Sequence, residues 1–160
     1  MILPADSYIV INKNTISDID KKTIIDLYQP LIGNKAVSLY YTLLNDLEKN
    51  ETITEINTHH HLLGIMQMSL EEIKKSREKL EAIGLLKTYL KKDNINNYIY
   101  VIYAPLSPNE FLNHPILNIV LYNNLGKKEY EKIKEKYKTP RISLKDYKDI
   151  SLKFDEVFSS

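Results

Sequence analysis

The sequence contains no cysteine and no tryptophan, and only four of its 160 residues are glycine. Without cysteine the chain can form neither disulfide bonds nor thiolate metal sites, which favours a reducing compartment such as the cytoplasm. No apolar run approaches the roughly 20 residues that span a bilayer, and the first residues lack the basic start and long apolar core of a signal peptide. The scattered glycines form no phosphate-binding loop and no Gly-x-Ser-x-Gly turn. We therefore expect a cytoplasmic protein that is not an enzyme and carries no cofactor.

Arginine is also scarce, and neither sign of charge dominates. The 22 basic residues are balanced by 21 acidic residues, which gives a formal net charge of +1. A protein that binds nucleic acid over its whole surface carries a larger net positive charge. The only arginines are Arg77 and Arg141, although arginine is the usual side chain for reading guanine. Any binding of nucleic acid must come from a local patch, and sequence-specific reading of bases is not expected.

The clearest local pattern begins with a helix at residues 69–82. Ser69 and Glu72 have the spacing of a capping box, which marks the start of a helix. Gly84 suits the left-handed conformation that ends one. One apolar stripe at near-helical spacing is formed by Leu70, Ile73, Leu80 and Ile83.

A hairpin is predicted directly after this helix. Residues 85–90 and 98–103 are rich in the β-branched and aromatic side chains typical of strands. The polar run 91–97 between them has the composition of a turn. A helix followed by a hairpin is the order of a recognition helix and its wing, so the sequence predicts a winged helix. The alternative is an ordinary helix and hairpin with no binding role.

We predict an α+β fold, mainly helical, in which additional helices flank the winged helix. The predicted parts are an N-terminal strand and helix (1–33), a winged-helix core (34–105), C-terminal helices (106–138) and an extended or disordered tail (139–160). The helices of the core are expected at 34–50, 58–66 and 69–82.

The flanking elements are predicted from weaker signals. The apolar stretch 8–11 suggests a short strand, and a helix is expected from about residue 17 to Tyr28. Pro30 and Gly33 should then break the chain. The segment 52–56 is consistent with either a short strand or the start of a helix.

The C-terminal part repeats the same signals. Ser107 opens a second capping box, residues 108–125 form one or two helices, and Gly126 separates them from a charged helix at 127–138. Beyond residue 138 the apolar side chains are spaced by charges and cannot form a core alone. This tail either docks on the domain or continues into a longer protein.

Three consecutive histidines, His59 to His61, suggest a metal site at first sight. Consecutive helical residues point about 100° apart, so three in a row cannot converge on one ion. Exposed or half-buried histidines on a short helix are the simpler interpretation, and no metal site is predicted.

Lysines provide the candidate contacts to nucleic acid. Helix 69–82 holds four basic and four acidic residues, which is unfavourable for a helix in a major groove because carboxylates near phosphates weaken binding. The wing sets its lysines against a single acidic residue, Asp93, and the charged helix after Gly126 is a further candidate for nonspecific phosphate contact. The candidate DNA-binding residues are Lys74, Lys75, Lys87, Lys91 and Lys92. The alternative is that these lysines only keep the surface soluble.

Two segments resemble a known family. Residues 27–33, Leu-Tyr-Gln-Pro-Leu-Ile-Gly, followed by Ala-Val-Ser-Leu-Tyr at 36–40, are similar to the opening of the replication initiation and membrane attachment protein of Gram-positive bacteria. Residues 77–89 and the terminal Phe-Asp-Glu-Val-Phe at 154–158 are similar as well. This is the helicase-loading primosome protein called DnaB in those organisms, which is related to DnaD and distinct from the replicative helicase that shares its name elsewhere.

The resemblance implies a winged-helix domain that self-associates, as a dimer or tetramer, and helps to assemble the complex that loads the replicative helicase. It implies contact with other primosome proteins and the helicase through a longer protein, membrane association of that longer protein, and no catalytic residues. From the residues themselves, a wide apolar surface on helix 34–50 and the 12 tyrosines also suggest protein contact. The candidate interface residues are Leu27, Tyr28, Tyr40, Tyr41, Phe111, Leu117 and Leu121. The rival hypothesis is a sequence-specific DNA-binding transcriptional regulator that reads its operator through helix 69–82.

Overall fold

The structure is a computed structural model that describes residues 2–47, 52–138 and 142–159. It is an α+β fold in which helices predominate. Its elements are β1 (Ser7–Asn12), α1 (Asp18–Thr23), a π-helical turn (Ile24–Tyr28), α2 (Gln29–Asp46), β2 (Asn57–Thr58), α3 (His59–Met66), α4 (Leu70–Ala82), β3 (Leu86–Lys91), β4 (Asn97–Ile102), α5 (Pro108–Leu112), α6 (Leu117–Leu125), α7 (Lys127–Lys136) and α8 (Phe154–Val157).

The winged-helix order is confirmed, and α4 starts where its local capping residues predict. The Ser69 hydroxyl accepts the Glu72 N–H at 3.2 Å, and the Glu72 carboxylate accepts the Ser69 N–H at 3.3 Å. These two bonds satisfy donors that the first turn of α4 would otherwise leave unpaired. The same reciprocal capping by Ser107 starts α5.

The first helical stretch does not end at Tyr28 as predicted. The Gln29 N–H donates to the Ile24 carbonyl, five residues back, and this π-helical turn carries the chain past Pro30 into α2. Pro30 therefore does not break the helix. Gly33 does, with φ 84° and ψ 167°, a conformation that glycine alone adopts readily.

A four-stranded sheet with the order β2-β1-β4-β3 lies beside the helices. Strands β3 and β4 form the predicted antiparallel wing, with Leu86 opposite Ile102 and Lys91 opposite Asn97. The predicted N-terminal strand is confirmed, and it lies parallel to β4. This position was not predicted, and it means that one edge of the wing is already paired within the chain.

The segment 52–56 is neither the start of a helix nor a regular strand. Ile53 forms a single antiparallel bridge to Ile11, and the Thr54 N–H donates to the Val10 carbonyl at 3.0 Å. The segment thus lies along the side of β1 that faces away from β4.

One core joins the winged helix to the elements on both sides of it. Alternate residues of β1 and β4, namely Tyr8, Val10, Tyr98 and Tyr100, are buried together with the apolar faces of α2, α3 and α4. The C-terminal helices contribute Phe111, Leu121 and Tyr130 to the same core. Residues 108–125 form two helices, and α7 follows Gly126 as expected.

The described part of the C-terminal segment, residues 142–159, has no regular secondary structure apart from a turn at 145–146 and the short helix α8. The predicted extended or disordered tail thus contains one helical turn, Phe154–Val157. Its large apolar side chains are all exposed; they are Ile142, Leu144, Tyr147, Ile150, Leu152, Phe154, Val157 and Phe158.

Candidate interaction surfaces

His59 is a buried structural residue, which corrects the expectation of exposed or half-buried histidines. Its Nδ1 lies 2.7 Å from the Asp6 carbonyl oxygen and its Nε2 lies 2.6 Å from the Tyr100 hydroxyl. Burial lowers the pKa of His59 below its ordinary 6.5, so the ring is neutral at neutral pH. Because a carbonyl can only accept, Nδ1 is the donor and Nε2 accepts from the tyrosine. The histidine thus ties the N-terminal segment and β4 to the start of α3.

The neighbouring histidines do not join His59 around a common point. His60 is exposed, and the Nε2 of His61 lies 2.8 Å from a carboxylate oxygen of Asp46. Within residues 2–47, 52–138 and 142–159, no group of three histidine, cysteine, aspartate or glutamate side chains is placed to hold a metal ion.

The five candidate DNA-binding lysines are all exposed. Lys87 and Lys91 lie on one face of β3 with Tyr89 between them, and Lys92 follows in the turn at the tip of the wing. The Nζ of Lys87 lies 5.5 Å from the centroid of the Tyr103 ring, close enough for a cation–π interaction. Lys74 and Lys75 occupy adjacent exposed positions on α4. The structure therefore groups three of these lysines on the wing and two on the helix.

Two of the four acidic residues on α4 are occupied by ion pairs. Glu72 pairs with Lys35, which lowers the pKa of that carboxyl, and Glu81 lies 3.3 Å from the Nε of Arg77. The Arg77 side chain is only 15% exposed, and its guanidinium carbon lies 6.0 Å from the centre of the Tyr98 ring. This arginine is directed inward and does not present its donors to a base.

Most of the candidate interface residues prove to be core residues. The side chains of Leu27, Tyr28, Tyr40, Phe111 and Leu121 are at most 2% exposed, so they have no surface to offer a partner. The structure corrects this part of the prediction, because the chain covers these residues itself: α2 packs chiefly against α4 and the π-helical turn, and the C-terminal helices add Phe111 and Leu121 to the same core. Only Tyr41 and Leu117 remain partly exposed.

The buried tyrosines hold the flanking helices in place. The Tyr28 ring packs edge-on against Phe111, with centroids 4.9 Å apart, and its hydroxyl accepts the Leu106 N–H at 2.9 Å. The Tyr40 hydroxyl donates to the Tyr103 carbonyl at 2.8 Å. These bonds satisfy polar groups that would be costly to bury alone.

A surface that the sequence did not reveal lies on the side of the sheet away from the helices. Side chains alternate across a sheet, so the residues between the buried positions of β1 and β4 share this side. The pairing brings Ile9 and Tyr89 next to Ile99, and Ile11 next to Val101. We define the outer sheet face as Ile9, Ile11, Ile53, Ile56, Tyr89, Ile99 and Val101.

The outer sheet face contains a groove of about 370 Å³, whose lining includes Ile9, Ile56, Tyr89, Leu90 and Ile99. Ile56 is 75% exposed and Tyr89 is 53% exposed. The sequence offered one signal for the outer sheet face: β1 is apolar on both of its faces, which is typical of a strand covered on both sides.

Comparison with known proteins decides the family. Residues 2–160 match the family model described as the DnaB N-terminal winged helix domain. The chain belongs to this family. It is 29% identical over 156 residues to the replicative helicase loading/DNA remodeling protein DnaB of Staphylococcus aureus (strain NCTC 8325 / PS 47). It also resembles the crystal structure of primosome protein DnaB, residues 1–300, from Geobacillus stearothermophilus, with a TM-score of 0.87 and 31% identity.

The chain corresponds to only part of these DnaB proteins. Each match covers 97% of this chain, but 34% of the Staphylococcus protein and 59% of the Geobacillus chain. The resemblance found in the sequence is thereby confirmed for the family and the fold. In the described part of the chain, no helix is long and apolar enough to cross a membrane.

Proposed function

We propose that this domain is a non-enzymatic self-association module of a DNA replication initiation protein. The observation that carries the proposal is the outer sheet face on a domain of the DnaB family. Exposed apolar side chains gathered on one face of a folded domain, here with Ile56 75% and Tyr89 53% exposed, favour contact with another molecule. Assembly proteins of this kind act by holding partners together, and a contact surface is what such a role requires.

A second exposed apolar surface lies on the C-terminal helices. Ile116, directly before α6, and Ile119 and Tyr122 within it are 65%, 58% and 42% exposed and recur every three residues. Ile25, which is 44% exposed, lies in the π-helical turn. These residues belong to the segments that flank the winged helix, namely residues 6–30 and the helices after Pro105. They support a dimer whose further contacts build a tetramer.

The wider role follows the printed names of the relatives. The Staphylococcus relative is named as a replicative helicase loading protein and the Geobacillus relative as a primosome protein. We propose that the longer protein containing this domain contacts other primosome proteins and the replicative helicase in the cytoplasm. Association of that protein with the membrane rests on the family resemblance alone.

Light scattering at increasing protein concentration tests self-association. We expect the mass to rise above the 18.7 kDa of one chain as concentration increases, because apolar surfaces are buried on association. The rise should persist at high salt, which screens exposed charges but does not weaken apolar contacts. A mass of one chain at every concentration would exclude the proposal.

A weaker contact with DNA is a second candidate function, favoured by the three exposed lysines of the wing. Changing Lys87, Lys91 and Lys92 to glutamine is expected to weaken binding to duplexes of any sequence. If each lysine neutralises one phosphate, the slope of log affinity against log salt falls by up to about 0.9 per lysine. Fluorescence anisotropy at several salt concentrations measures that slope.

The matched control changes Lys74 and Lys75 on α4 to glutamine. Under the proposal this pair has a smaller effect than the wing variant. Sequence-selective binding that disappears with Lys74 and Lys75 would instead establish the rival role of a transcriptional regulator. If the unmodified chain does not bind DNA at low salt, the proposed DNA contact is excluded and self-association remains as the proposed function of this domain.

A further inference from the structure

The end of the described chain carries a compact apolar cluster that nothing in its own domain covers. Phe154, Val157 and Phe158 are 73%, 55% and 68% exposed, although the two phenyl rings stack with centroids 5.0 Å apart. Positions three and four residues apart share one side of a helical turn. We call Phe154, Val157 and Phe158 the phenylalanine hook.

The groove on the outer sheet face is complementary to this hook in polarity and size. On the outer sheet face its walls are apolar, being formed by Ile9, Ile56, Tyr89 and Ile99. Its volume of about 370 Å³ lies near the lower end of the range, roughly 300 to 1,000 Å³, over which proteins enclose small ligands. A few apolar side chains fill such a space.

The charges at the two sites are complementary as well. Lys91 lines the groove, and Lys87 and Lys92 are the neighbouring exposed positions of the wing. Asp155 and Glu156 lie between the apolar residues of the hook, against one basic neighbour, Lys153. Opposite charges at the rim of an apolar contact orient the correct partner and disfavour binding of other molecules.

We propose that the phenylalanine hook of one copy of this chain docks in the outer-sheet groove of a second copy. Within one copy both surfaces are exposed, so they do not cover each other there. Reciprocal exchange between two copies buries both hooks and both grooves and closes into a symmetric dimer. The inference rests on the proposed self-association and names the surfaces that carry it.

The absence of cysteine allows a direct test with single thiols. Ile56→Cys places a thiol at the groove, where this residue is 75% exposed, and Ser159→Cys places one directly after the hook while keeping both phenyl rings. The two variants are mixed and treated with a short bis-maleimide. We expect a covalent dimer of one chain of each kind, in several-fold higher yield than from a control mixture of Ser159→Cys with Lys134→Cys on the exposed side of α7.

A second measurement removes the hook without touching the core. Phe154→Ser combined with Phe158→Ser should raise the dissociation constant of the dimer at least about tenfold in light scattering or sedimentation. Ile119→Ser combined with Tyr122→Ser removes exposed apolar side chains from α6 and is expected to have a smaller effect on the same dimer. Neither variant alters a buried side chain.

The outcomes separate this inference from the proposed function. If the unmodified chain remains a monomer, both the proposed self-association and the docking of the hook are excluded. If it associates but the hook variant associates equally well and the cross-link does not exceed the control, only the hook is excluded. A chain carrying both Ile56→Cys and Ser159→Cys that cross-links to itself at high dilution would show docking within one copy, which also overturns the exchange.

Discussion

Replacing Phe111 with alanine is expected to lower the free energy of unfolding by about 3 to 5 kcal/mol. The side chain is fully buried and packs against the Tyr28 ring at 4.9 Å between centroids. Removing it leaves a cavity at the junction between the π-helical turn and the C-terminal helices. Because native domains are stable by only about 5 to 15 kcal/mol, the change should weaken the whole fold.

Urea denaturation followed by circular dichroism measures this loss. Ile119→Ala is the matched control: this residue is 58% exposed, so the change in free energy should stay within about 0.5 kcal/mol. The two variants also distinguish core from interface on the C-terminal helices. Unchanged stability of the Phe111→Ala chain together with lost self-association would restore the original prediction that Phe111 forms an interface.

Two glycine substitutions are expected to act in opposite directions. Gly33→Ala should destabilise the protein by about 1 to 3 kcal/mol, because residue 33 holds a conformation that a side chain disfavours. Gly64 lies in α3 without a positive φ, and alanine there should stabilise the helix by roughly 0.5 to 1 kcal/mol. An added methyl group meets no atom within 4 Å at either position, so the contrast reports backbone conformation alone.

Thermal unfolding of both variants beside the unmodified chain measures the contrast. A Gly33→Ala chain that melts at or above the temperature of the unmodified chain would mean that the kink is not maintained in solution. In that case the π-helical turn and α2 would form one straight helix, and the packing of Tyr28 on Phe111 would have to change.

The elements that local chemistry specifies were predictable from the sequence. Ser69 and Ser107 each begin a helix through bonds to residues three positions away, and the wing strands follow from their composition and the turn between them. The passage of the helix through Pro30 was not predictable, because a π-helical turn has no distinctive composition. The pairing of β1 with β4 was also missed, since it joins residues far apart in the chain.

The candidate surfaces were harder to predict for a related reason. An apolar stripe on a helix looks the same whether a partner or the chain's own flanking helices cover it. Tyr40 and Phe111 were therefore assigned to an interface, although they are buried in the core of this chain. The exposure of the wing lysines, such as Lys91, was predictable, because lysines on edge strands usually extend into solvent.

The parallel pairing of β1 with β4 sets an order of events during synthesis. Ser7 pairs with Asn97, 90 residues later, and ribosomes add about 5 to 20 residues per second. Strand β1 is therefore synthesised on the order of 5 to 20 seconds before its partner strand β4. During that interval Tyr8 and Val10, which are buried in the finished domain, have no partner strand beside them, so we expect the nascent chain to expose apolar side chains that chaperones can bind.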